Sequence, residues 1–371
     1  MGFSSLNLHS DLVTRAKALG FTHPTPIQIQ AIPVALEKRD IIGLAQTGTG
    51  KTAAFILPIV QLIAAAPRKR GVSALILAPT RELAEQIHEV AVTFGRELQV
   101  TSTPIFGGVN INSQIVQLRR GVDIVVACPG RLLDHVGRRT INLSTIDTLV
   151  LDEADQMLDM GFFPTIKKIT ALLPTQRQTL LFSATMPAEI EKLTRNIQKN
   201  PVKIQVDRRE VTTQISHSLY PVQQNRKMEL LQHIIQKENS FSTLVFTRTK
   251  YRARQLAEKL IKTGLKATSL HGNLSINQRR NAVDGFKKGN YRILVATDIA
   301  ACGIDISGIS HVINFDVPVT PEIYIHRIGR TGRAAETGVA YTFASNEKMS
   351  VINQIERVLK SKLPINKHSF N

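Results

Sequence analysis

The sequence predicts an α/β protein of two domains, each built on a doubly wound parallel sheet. Its 371 residues exceed what one ordinary hydrophobic core holds. Short runs rich in valine, isoleucine and leucine alternate with helical stretches, as in sheets that helices cover on both faces. The alternation breaks around residues 200–213 and then resumes. We therefore expect a first domain over residues 1–206, a linker over 207–213 and a second domain over 214–371.

The predicted strands are short apolar runs separated by helical stretches. The opening segment, residues 3–20, predicts a turn and an amphipathic helix with Leu12, Ala16 and Leu19 on one face. In the first half we expect strands at residues 40–44, 74–78, 101–105, 123–127, 148–151 and 179–182. In the second half we expect them at residues 243–246, 267–270, 293–296, 311–315 and 339–343.

Composition restricts the classes of partner and compartment. The net charge of +18 predicts a polyanionic partner, either nucleic acid or an anionic membrane surface, although a generally basic solvated surface is the alternative. Aromatic residues make up only 5%, without tryptophan, which argues against base stacking as the main binding device. Two cysteines, no signal-peptide layout and no apolar run long enough to span a bilayer predict a cytoplasmic protein that does not enter a membrane.

A phosphate-binding loop is predicted directly after the first strand. Glycines there allow backbone N–H groups to converge on phosphate oxygens, and the next helix directs its positive end at them. Lys51 adds charge, and the Thr52 hydroxyl can hold Mg²⁺. The second half has no Gly-Lys-Thr of its own, so we expect only the first half to bind a nucleoside triphosphate. The loop comprises Ala45, Gln46, Thr47, Gly48, Thr49, Gly50, Lys51 and Thr52, with Ala45 where the usual pattern has glycine.

Carboxylates follow the predicted strand at 148–151. Asp152 is placed to hold Mg²⁺ through its waters, since Mg²⁺ dehydrates reluctantly. Glu153 is then placed to orient or deprotonate an attacking water. An acidic turn that caps a helix is the alternative. Because a phosphate loop lies upstream, we favour a site for magnesium and nucleotide over a helix-capping turn.

Gln28 is a candidate for recognition of adenine. Pro24 and Pro26 hold the preceding loop semi-rigid, and we expect the next helical stretch to begin at Gln28. Its amide can donate to adenine N7 and accept from the 6-amino group, a pairing that guanine does not satisfy. Without the phosphate loop downstream, a surface helix residue would be the simpler interpretation.

Further polar residues follow other predicted strands. Thr80 and Arg81 open a helix, which gives an anion-binding N-terminus with an arginine beside it. Ser183 and Thr185 are equally compatible with helix capping and with a functional role. Tight turns at residues 107–108 and 129–131 complete a row of phosphate-sized notches.

The segment at residues 326–333 is the most distinctive one of the second half. Its two glycines disfavour a plain basic helix. Arginines spaced in this way can aim two guanidiniums at one target, as arginine fingers on a γ-phosphate require. A solvated basic turn is the alternative.

The motifs at residues 24–28, 45–52, 79–83, 152–155, 183–185 and 326–333 occur in the order seen in DEAD-box RNA helicases, which the chain resembles over nearly its whole length. Phe3 and the compact C-terminus resemble the bacterial RhlE branch of that family. The resemblance implies two tandem RecA-like domains that face each other across an ATP cleft, with RNA lying across both on the opposite side.

The resemblance also implies a role for each motif residue. Catalysis is assigned to Lys51, Asp152, Glu153, Arg330 and Arg333, and Mg²⁺ to Thr52 and Asp152. ATP is assigned to Phe3, Phe21, Thr25, Gln28, the loop at 45–52 and, for the ribose, Asp305. RNA is assigned to Pro79, Thr80, Arg81, Gly108, Pro129, Gly130, Arg131, Arg248, Gly272 and Thr297. Coupling of hydrolysis to unwinding is assigned to Ser183, Thr185 and His326.

Two residues depart from the family pattern. Cys128 stands where threonine is usual, which removes a hydroxyl from one predicted phosphate contact. Cys302 stands where an arginine is expected, in a loop that the resemblance assigns to coupling between the domains.

We therefore predict an ATP-dependent RNA helicase that separates short duplexes locally, acts as a monomer and uses ATP and Mg²⁺. Its RNA ligands would be single strands and short duplexes, and ribosome-assembly or RNA-degradation complexes are candidate partners by analogy. An ATP-dependent RNA clamp with low turnover and a DNA-directed helicase on the same core are the alternatives. Preference for RNA follows from the resemblance, because a site that tracks phosphates does not by itself distinguish sugars.

Overall fold

The computed structural model describes residues 2–46, 48–67, 71–206, 215–238, 242–301, 308–332 and 338–368, without the side chains of Ile276, Ile299 and Asn346. The chain divides into two compact units, Met1–Asp207 and Arg208–Asn371. The predicted linker at 207–213 lies outside the described residues, so the domain bounds stay a prediction.

Unit 1 is a seven-stranded sheet covered by helices. Its strands follow the order β3-β4-β2-β5-β6-β1-β7, and every neighbouring pair is parallel. The strands are β1 Ile41–Leu44, β2 Ala74–Leu77, β3 Ser102–Ile105, β4 Ile124–Ala127, β5 Thr148–Leu151, β6 Gln178–Ser183 and β7 Val202–Gln205. A 3₁₀ helix at Phe3–Leu6 precedes the α-helices, which are α1 Ser10–Ala18, α2 Pro26–Leu36, α3 Lys51–Ala65, α4 Arg81–Gly95, α5 Ile111–Arg119, α6 Pro129–Gly137, α7 Ala154–Asp159, α8 Phe163–Ala171 and α9 Ala188–Ile197.

Unit 2 repeats this architecture with a six-stranded sheet. Its order is β10-β11-β9-β12-β13-β8, again with every neighbouring pair parallel. The strands are β8 Ile215–Pro221, β9 Thr243–Phe246, β10 Ala267–Leu270, β11 Ile293–Ala296, β12 His311–Asn314 and β13 Gly338–Ala344. The α-helices are α10 Lys227–Lys237, α11 Lys250–Lys262, α12 Ile276–Lys287, α13 Asp298–Ala301, α14 Pro321–Ile328 and α15 Met349–Leu359, and a 3₁₀ turn lies at Asn346–Lys348.

The continuous apolar runs are explained by burial on both faces of each sheet. In β2, Ala74 and Ile76 belong to one hydrophobic core of unit 1, and Leu75 and Leu77 belong to the other. Successive side chains of a strand point to opposite faces, so a strand that is covered on both sides must be apolar at every position. The doubly wound α/β fold predicted from the sequence is confirmed.

The structure corrects several local predictions. Val202–Gln205 is a strand although it lies within the predicted break at 200–213, and Ile215–Pro221 is a strand that the sequence did not predict. Leu19 lies outside the buried face of α1, since its side chain is 41% exposed and it occupies the C-cap position. Helix α2 begins at Pro26, two residues before Gln28, as suits a proline in the first turn.

None of the helices in the described segments is both long and apolar enough to cross a bilayer.

Asp40 joins the strands at one end of the sheet in unit 1. Its side chain is only 7% exposed. The oxygen Oδ1 accepts a hydrogen bond from the backbone N–H of Thr179 at 2.7 Å, and Oδ2 accepts one from Lys199 at 2.6 Å. The carboxylate therefore satisfies backbone donors at the start of β6 and ahead of β7, on either side of its own strand.

Asp40→Ala should destabilise unit 1 by about 2–5 kcal/mol, because two backbone N–H groups lose their acceptor and one of them is fully buried. Asp40→Asn retains one acceptor oxygen and should give an intermediate loss. Urea unfolding followed by far-UV circular dichroism measures both, with the exposed Asp11→Ala as control. An unchanged midpoint for Asp40→Ala would contradict this role.

Candidate nucleotide and RNA sites

The polar motifs of unit 1 collect at the carboxyl edge of its sheet. Strand β1 leads into the phosphate loop, β5 into residues 152–155 and β6 into residues 183–185. These three strands are neighbours in the order β5-β6-β1. Strands β2, β4 and β3 form the other half of the edge and lead into residues 79–81, 129–131 and 107–108. The sheet order thus separates the predicted ATP residues from the predicted RNA residues.

The phosphate loop is tied to Gln28. The Gln28 amide donates from Nε2 to the carbonyl oxygen of Gly50 at 3.1 Å, and its Oε1 accepts from the backbone N–H of Thr25 at 2.9 Å. Gly50 has a φ of 87°, and a side chain there would collide with that amide. Lys51 begins α3 and is 5% exposed, while Thr52 is half-buried. The loop therefore depends on Gln28 for its conformation as well as on its own glycines.

The remaining loop residues lie beside these contacts. Ala45 is buried and its N–H donates to the carbonyl of Ser183 at 3.0 Å, which joins the start of the loop to β6. The Thr49 hydroxyl donates to the carbonyl of Gln46 at 2.7 Å. Gly48 has a φ of 90°, a left-handed conformation that glycine adopts without strain.

Phe3 and Phe21 have opposite environments. Phe3 is 3% exposed and belongs to the hydrophobic core of unit 1, whereas Phe21 is 48% exposed. Of these two predicted ATP-binding residues, only Phe21 presents an aromatic ring at the surface in this structure.

The acidic segment after β5 is buried. Asp152 and Glu153 are 2% and 4% exposed, and the N–H of Glu153 donates to Asp152 Oδ1 at 3.0 Å. Glu153 has a φ of 51°, in the left-handed region that is strained for a residue with a side chain. Such strain is typical of functional sites, where the surrounding structure enforces it.

Burial raises the pKa of Asp152 to about 6, although Lys51 opposes the shift and Glu153 adds to it. A raised pKa means that the positive charge around the buried carboxylate is too small to offset the cost of its desolvation. Its surroundings therefore fit a cation such as Mg²⁺. No cluster of three or more His, Cys, Asp or Glu side chains that could hold a metal occurs in the described part of the chain.

Asp155 connects the acidic segment to the end of β6. Its Oδ2 accepts from the N–H of Ala184 at 3.0 Å, and from the N–H and hydroxyl of Thr185 at 2.8 Å and 3.0 Å. In return its own N–H donates to the Ser183 hydroxyl at 3.2 Å. Pro187 occupies the N-cap of α9, so neither hydroxyl caps that helix, and the capping interpretation of Ser183 and Thr185 there is wrong.

The other half of the edge assembles two arginines around a glycine pair. A side chain at Gly108, which has a φ of 82°, would collide with the guanidinium of Arg81. Arg131 donates from Nη1 to the carbonyl of Val109 at 3.1 Å and to Gln114 Oε1 at 3.3 Å. Arg131 thus holds the loop after β3 in place. Residues 129–131 form the first turn of α6 and not the tight turn expected.

The other predicted RNA residues of unit 1 lie at helix starts. The hydroxyl of Thr80 accepts from the N–H of Leu83 at 3.3 Å, so it caps α4. Pro79 and Pro129 are buried, and Gly130 has open space beside its Cα. The thiol of Cys128 has a pKa raised to about 12 by burial, with Glu82 adding and Arg81 opposing, so it stays protonated.

Unit 2 brings its predicted RNA residues to neighbouring strand ends. Arg248, Gly272 and Thr297 follow β9, β10 and β11, which are adjacent in the order β10-β11-β9. Arg248 and Gly272 are exposed, and Thr297 is half-buried. The N–H of Arg248 donates to Asp316 Oδ2 at 3.0 Å, which fixes its backbone.

The basic segment of unit 2 is partly helical. His326 and Arg327 lie in the last turn of α14, which ends at Ile328 before Gly329. Arg327 is 3% exposed and makes a bidentate pair with Asp298, from Nε at 2.5 Å and from Nη2 at 2.9 Å. Arg330 is buried within unit 2 as well. Four predicted positions, Thr47, Cys302, Asp305 and Arg333, lie outside the described residues.

Comparison with known proteins gives the family. Residues 25–193 match the model of DEAD/DEAH box helicases, and residues 226–335 match that of the helicase conserved C-terminal domain. The DEAD-box ATP-dependent RNA helicase CshA of Bacillus subtilis is 45% identical over 362 residues, which are 97% of this chain and 73% of that protein. CshA of Geobacillus kaustophilus is 43% identical over 362 residues and is covered over 77% of its length. The chain belongs to the DEAD-box ATP-dependent RNA helicases.

Solved structures agree with this assignment. Saccharomyces cerevisiae Dbp5 bound to RNA and ADP BeF3 is 32% identical, with a TM-score of 0.89 over 98% of this chain and 95% of that one. Mss116p bound to ssRNA and AMP-PNP is 28% identical, with a TM-score of 0.88 over 99% of this chain and 78% of that one. The predicted RecA-like fold and the helicase activity are thus confirmed.

Several residues of the helicase have roles that the sequence pattern does not indicate. Asp155, Asp298 and Asp316 are buried or half-buried carboxylates whose partners lie far away in the sequence. Lys227 donates from Nζ to the carbonyls of Phe315 and Phe343, and burial lowers its pKa to about 8, with Asp316 opposing. The available signal is a carboxylate inside a motif or strand-end segment, and it applies to Asp155 and to Asp298, which follows Thr297.

Gln28→Glu should weaken ATP binding by the helicase by about 1–3 kcal/mol, by analogy with readout of base edges. The substitution removes the donor to Gly50 and turns a carboxylate toward its carbonyl oxygen. Competition of ATP and GTP against a fluorescent nucleotide measures the effect, with the exposed Gln30→Glu of the same helix as control. Equal affinity of the unmodified helicase for ATP and GTP would refute selection of adenine by Gln28.

Asp152→Asn should stabilise the nucleotide-free helicase at neutral pH. The pKa of this carboxyl is 3.8 in the unfolded chain and about 6 in the folded one. Ionisation is therefore less favourable in the folded state, and the folded state loses stability as the pH rises from 3.8 to 6. The gain should approach about 3 kcal/mol at pH 7.5, shrink at pH 5 and vanish below pH 3.8. Chemical denaturation at several pH values, with the exposed Asp134→Asn as control, checks the sign. A gain that grows on acidification is the contrary outcome.

Proposed function

We propose that this chain separates short RNA duplexes locally, in a cycle of ATP binding and hydrolysis. The observation that carries the proposal is Asp155, which joins the segment of the predicted catalytic carboxylates to Ser183 and Thr185. A duplex step is worth roughly 0.6–2.2 kcal/mol, so a few base pairs are within reach of one binding event. Separation of a long duplex exceeds what one binding event supplies.

The hydrolysis step is assigned to residues of unit 1. Lys51 offsets the phosphate charge, and Thr52 and Asp152 would hold Mg²⁺, which neutralises charge on the phosphates when bound. Glu153 orients the attacking water and accepts its proton. Arg330 and Arg333 are proposed as arginine fingers that stabilise the developing charge on the γ-phosphoryl group.

Coupling is proposed to pass through the Asp155 network. A carboxylate that accepts three hydrogen bonds from two successive residues transmits a displacement of α7 directly to the end of β6. His326, at the end of α14, is proposed as the coupling residue of unit 2.

RNA is proposed to lie along the strand-end residues of both units. In unit 1, Arg81 and Arg131 offer cations and Gly108 allows close approach of the backbone. In unit 2, Arg248 offers a cation, Gly272 allows close approach, and Thr297 lies beside them at the end of β11. Two relatives whose structures resemble this one, Dbp5 and Mss116p, are described as bound to RNA and to ssRNA. With a net charge of +18, affinity should fall steeply with salt and depend little on sequence.

The finer assignments are proposals as well. We propose the RhlE branch from Phe3 alone, whereas the relatives reported above carry the name CshA. We also propose a cytoplasmic monomer that binds single-stranded RNA and short duplexes. A place in ribosome-assembly or RNA-degradation complexes rests on analogy alone.

The proposed function is tested by ATP hydrolysis in the presence of RNA or DNA of the same sequence, together with strand separation of a short RNA duplex. RNA should stimulate turnover more than DNA does. Equal stimulation by DNA would support the DNA-directed alternative, and tight ATP-dependent RNA binding without turnover would support the clamp.

Glu153→Gln should retain ATP and RNA binding while ATP hydrolysis collapses, because the amide keeps the size of the side chain but does not accept a proton from water. Single-turnover hydrolysis and RNA binding with ATP measure the two properties separately. Glu189→Gln, in the first turn of α9, is a control outside this site. Turnover near the unmodified rate would show that Glu153 has another role.

A further inference from the structure

A groove of unit 2 runs between helix α11 and the edge strand β10. Its cavity has a volume of about 580 Å³. One wall carries Lys250, Tyr251 and Arg254, and the opposite wall carries Thr268 and His271. None of these residues has a predicted role in the binding of ATP or RNA.

His271 is a buried polar side chain at this groove. It is 5% exposed, and neither ring nitrogen has a hydrogen-bond partner in another described residue. Burial lowers the pKa of His271, with Arg254 and Arg279 adding, so the imidazole is neutral near pH 7. A neutral imidazole offers one donor and one acceptor. A ligand that presents both groups would satisfy it, whereas a phosphate or carboxylate presents acceptors alone.

Tyr251 offers an open aromatic surface at the mouth of the groove. Its side chain is 69% exposed, the highest value among the large apolar side chains of the described segments. The phenol oxygen accepts from Gln255 Nε2 at 2.8 Å, which steadies the tip of the ring. The ring is therefore available for stacking at a small cost in side-chain entropy.

The charge beside the groove suits a polyanion. Lys250 and Arg254 outnumber Glu258, which pairs with Arg254 at 2.8 Å in an exposed position. The Lys250 ammonium donates to Asn273 Oδ1 at 3.0 Å, across the two strand-end segments. These segments also contain Arg248 and Gly272, so the groove continues the proposed RNA path.

We propose that this groove binds one nucleotide of the RNA strand, with its base stacked on Tyr251 and hydrogen-bonded to His271. Lys250 and Arg254 lie beside the phosphates of that nucleotide. The inference rests on the proposed function, because the strand that reaches the groove is the one held at Arg248 and Gly272. A single stacking residue is compatible with the low aromatic content of the chain. An extended peptide added to the edge of β10 is the competing occupant, and it would use backbone groups in place of the Tyr251 ring.

The test compares binding of single-stranded RNA with that of the same strand lacking its bases, on the full chain with a non-hydrolysable ATP analogue. Tyr251→Ala should weaken binding of the normal strand about fivefold or more and leave the abasic strand unaffected. Tyr251→Phe should bind both strands as the unmodified chain does. Lys262→Ala, which removes an exposed charge from the end of the same helix, is the control.

A second measurement does not depend on a variant. RNA that contains 4-thiouridine should cross-link on irradiation to a peptide that includes Tyr251. Cross-links confined to other segments would overturn the inference, as would equal affinities for Tyr251→Ala and the unmodified chain. Equal losses on the normal and abasic strands would do the same.

The hypothesis that the groove binds RNA can be refuted separately from the proposed function. If RNA stimulates ATP hydrolysis by the unmodified chain but Tyr251→Ala binds RNA normally, the groove is excluded and the helicase mechanism stands. If RNA does not stimulate hydrolysis by the unmodified chain, the proposed function fails first.

Discussion

Parallel pairing of every strand is the constraint on which the rest of this structure depends. In both sheets each described neighbouring pair is parallel. Within each sheet, all carboxyl ends therefore lie at the same edge. Helices cover both faces, which excludes polar side chains from most strand interiors. Chemistry is therefore concentrated in the segments that follow the strands, and the motifs at 45–52, 79–83, 152–155 and 183–185 lie there.

The order of the strands then divides the edge of unit 1. Strand β1 lies between β6 and β7, and Leu44 is level with Ser183 although 139 positions separate them. This neighbour relation brings the phosphate loop beside the acidic segment and the end of β6. Arg81 and Arg131, the two arginines of unit 1 that are predicted to bind RNA, follow β2 and β4, on the other side of β5. One continuous edge thus carries both the predicted ATP residues and the predicted RNA residues.

Buried and half-buried carboxylates hold segments at the strand ends of each unit in position. Asp155 accepts from residues at the end of β6, Asp316 accepts from the backbone of Arg248, and Asp298 forms a bidentate pair with Arg327. A buried charge is costly unless several donors satisfy it, so each of these groups requires a defined loop conformation. Precise loops suit a protein that must convert hydrolysis at one site into movement at another.

The sequence by itself determined the family, the order of the motifs and most of the sheet. The strands at 148–151, 243–246 and 293–296 lie where the apolar runs predict them, because strands buried on both faces are largely apolar. Strands β7 and β8 were not predicted, since both lie at an edge of their sheet and tolerate exposed polar residues. Only the tertiary structure decided that Arg131 holds the loop after β3, that Arg327 is paired with Asp298, and that His271 has no hydrogen-bond partner in another described residue. These outcomes depend on groups brought together by the sheet order, and no local pattern of residues encodes which distant neighbour a side chain meets.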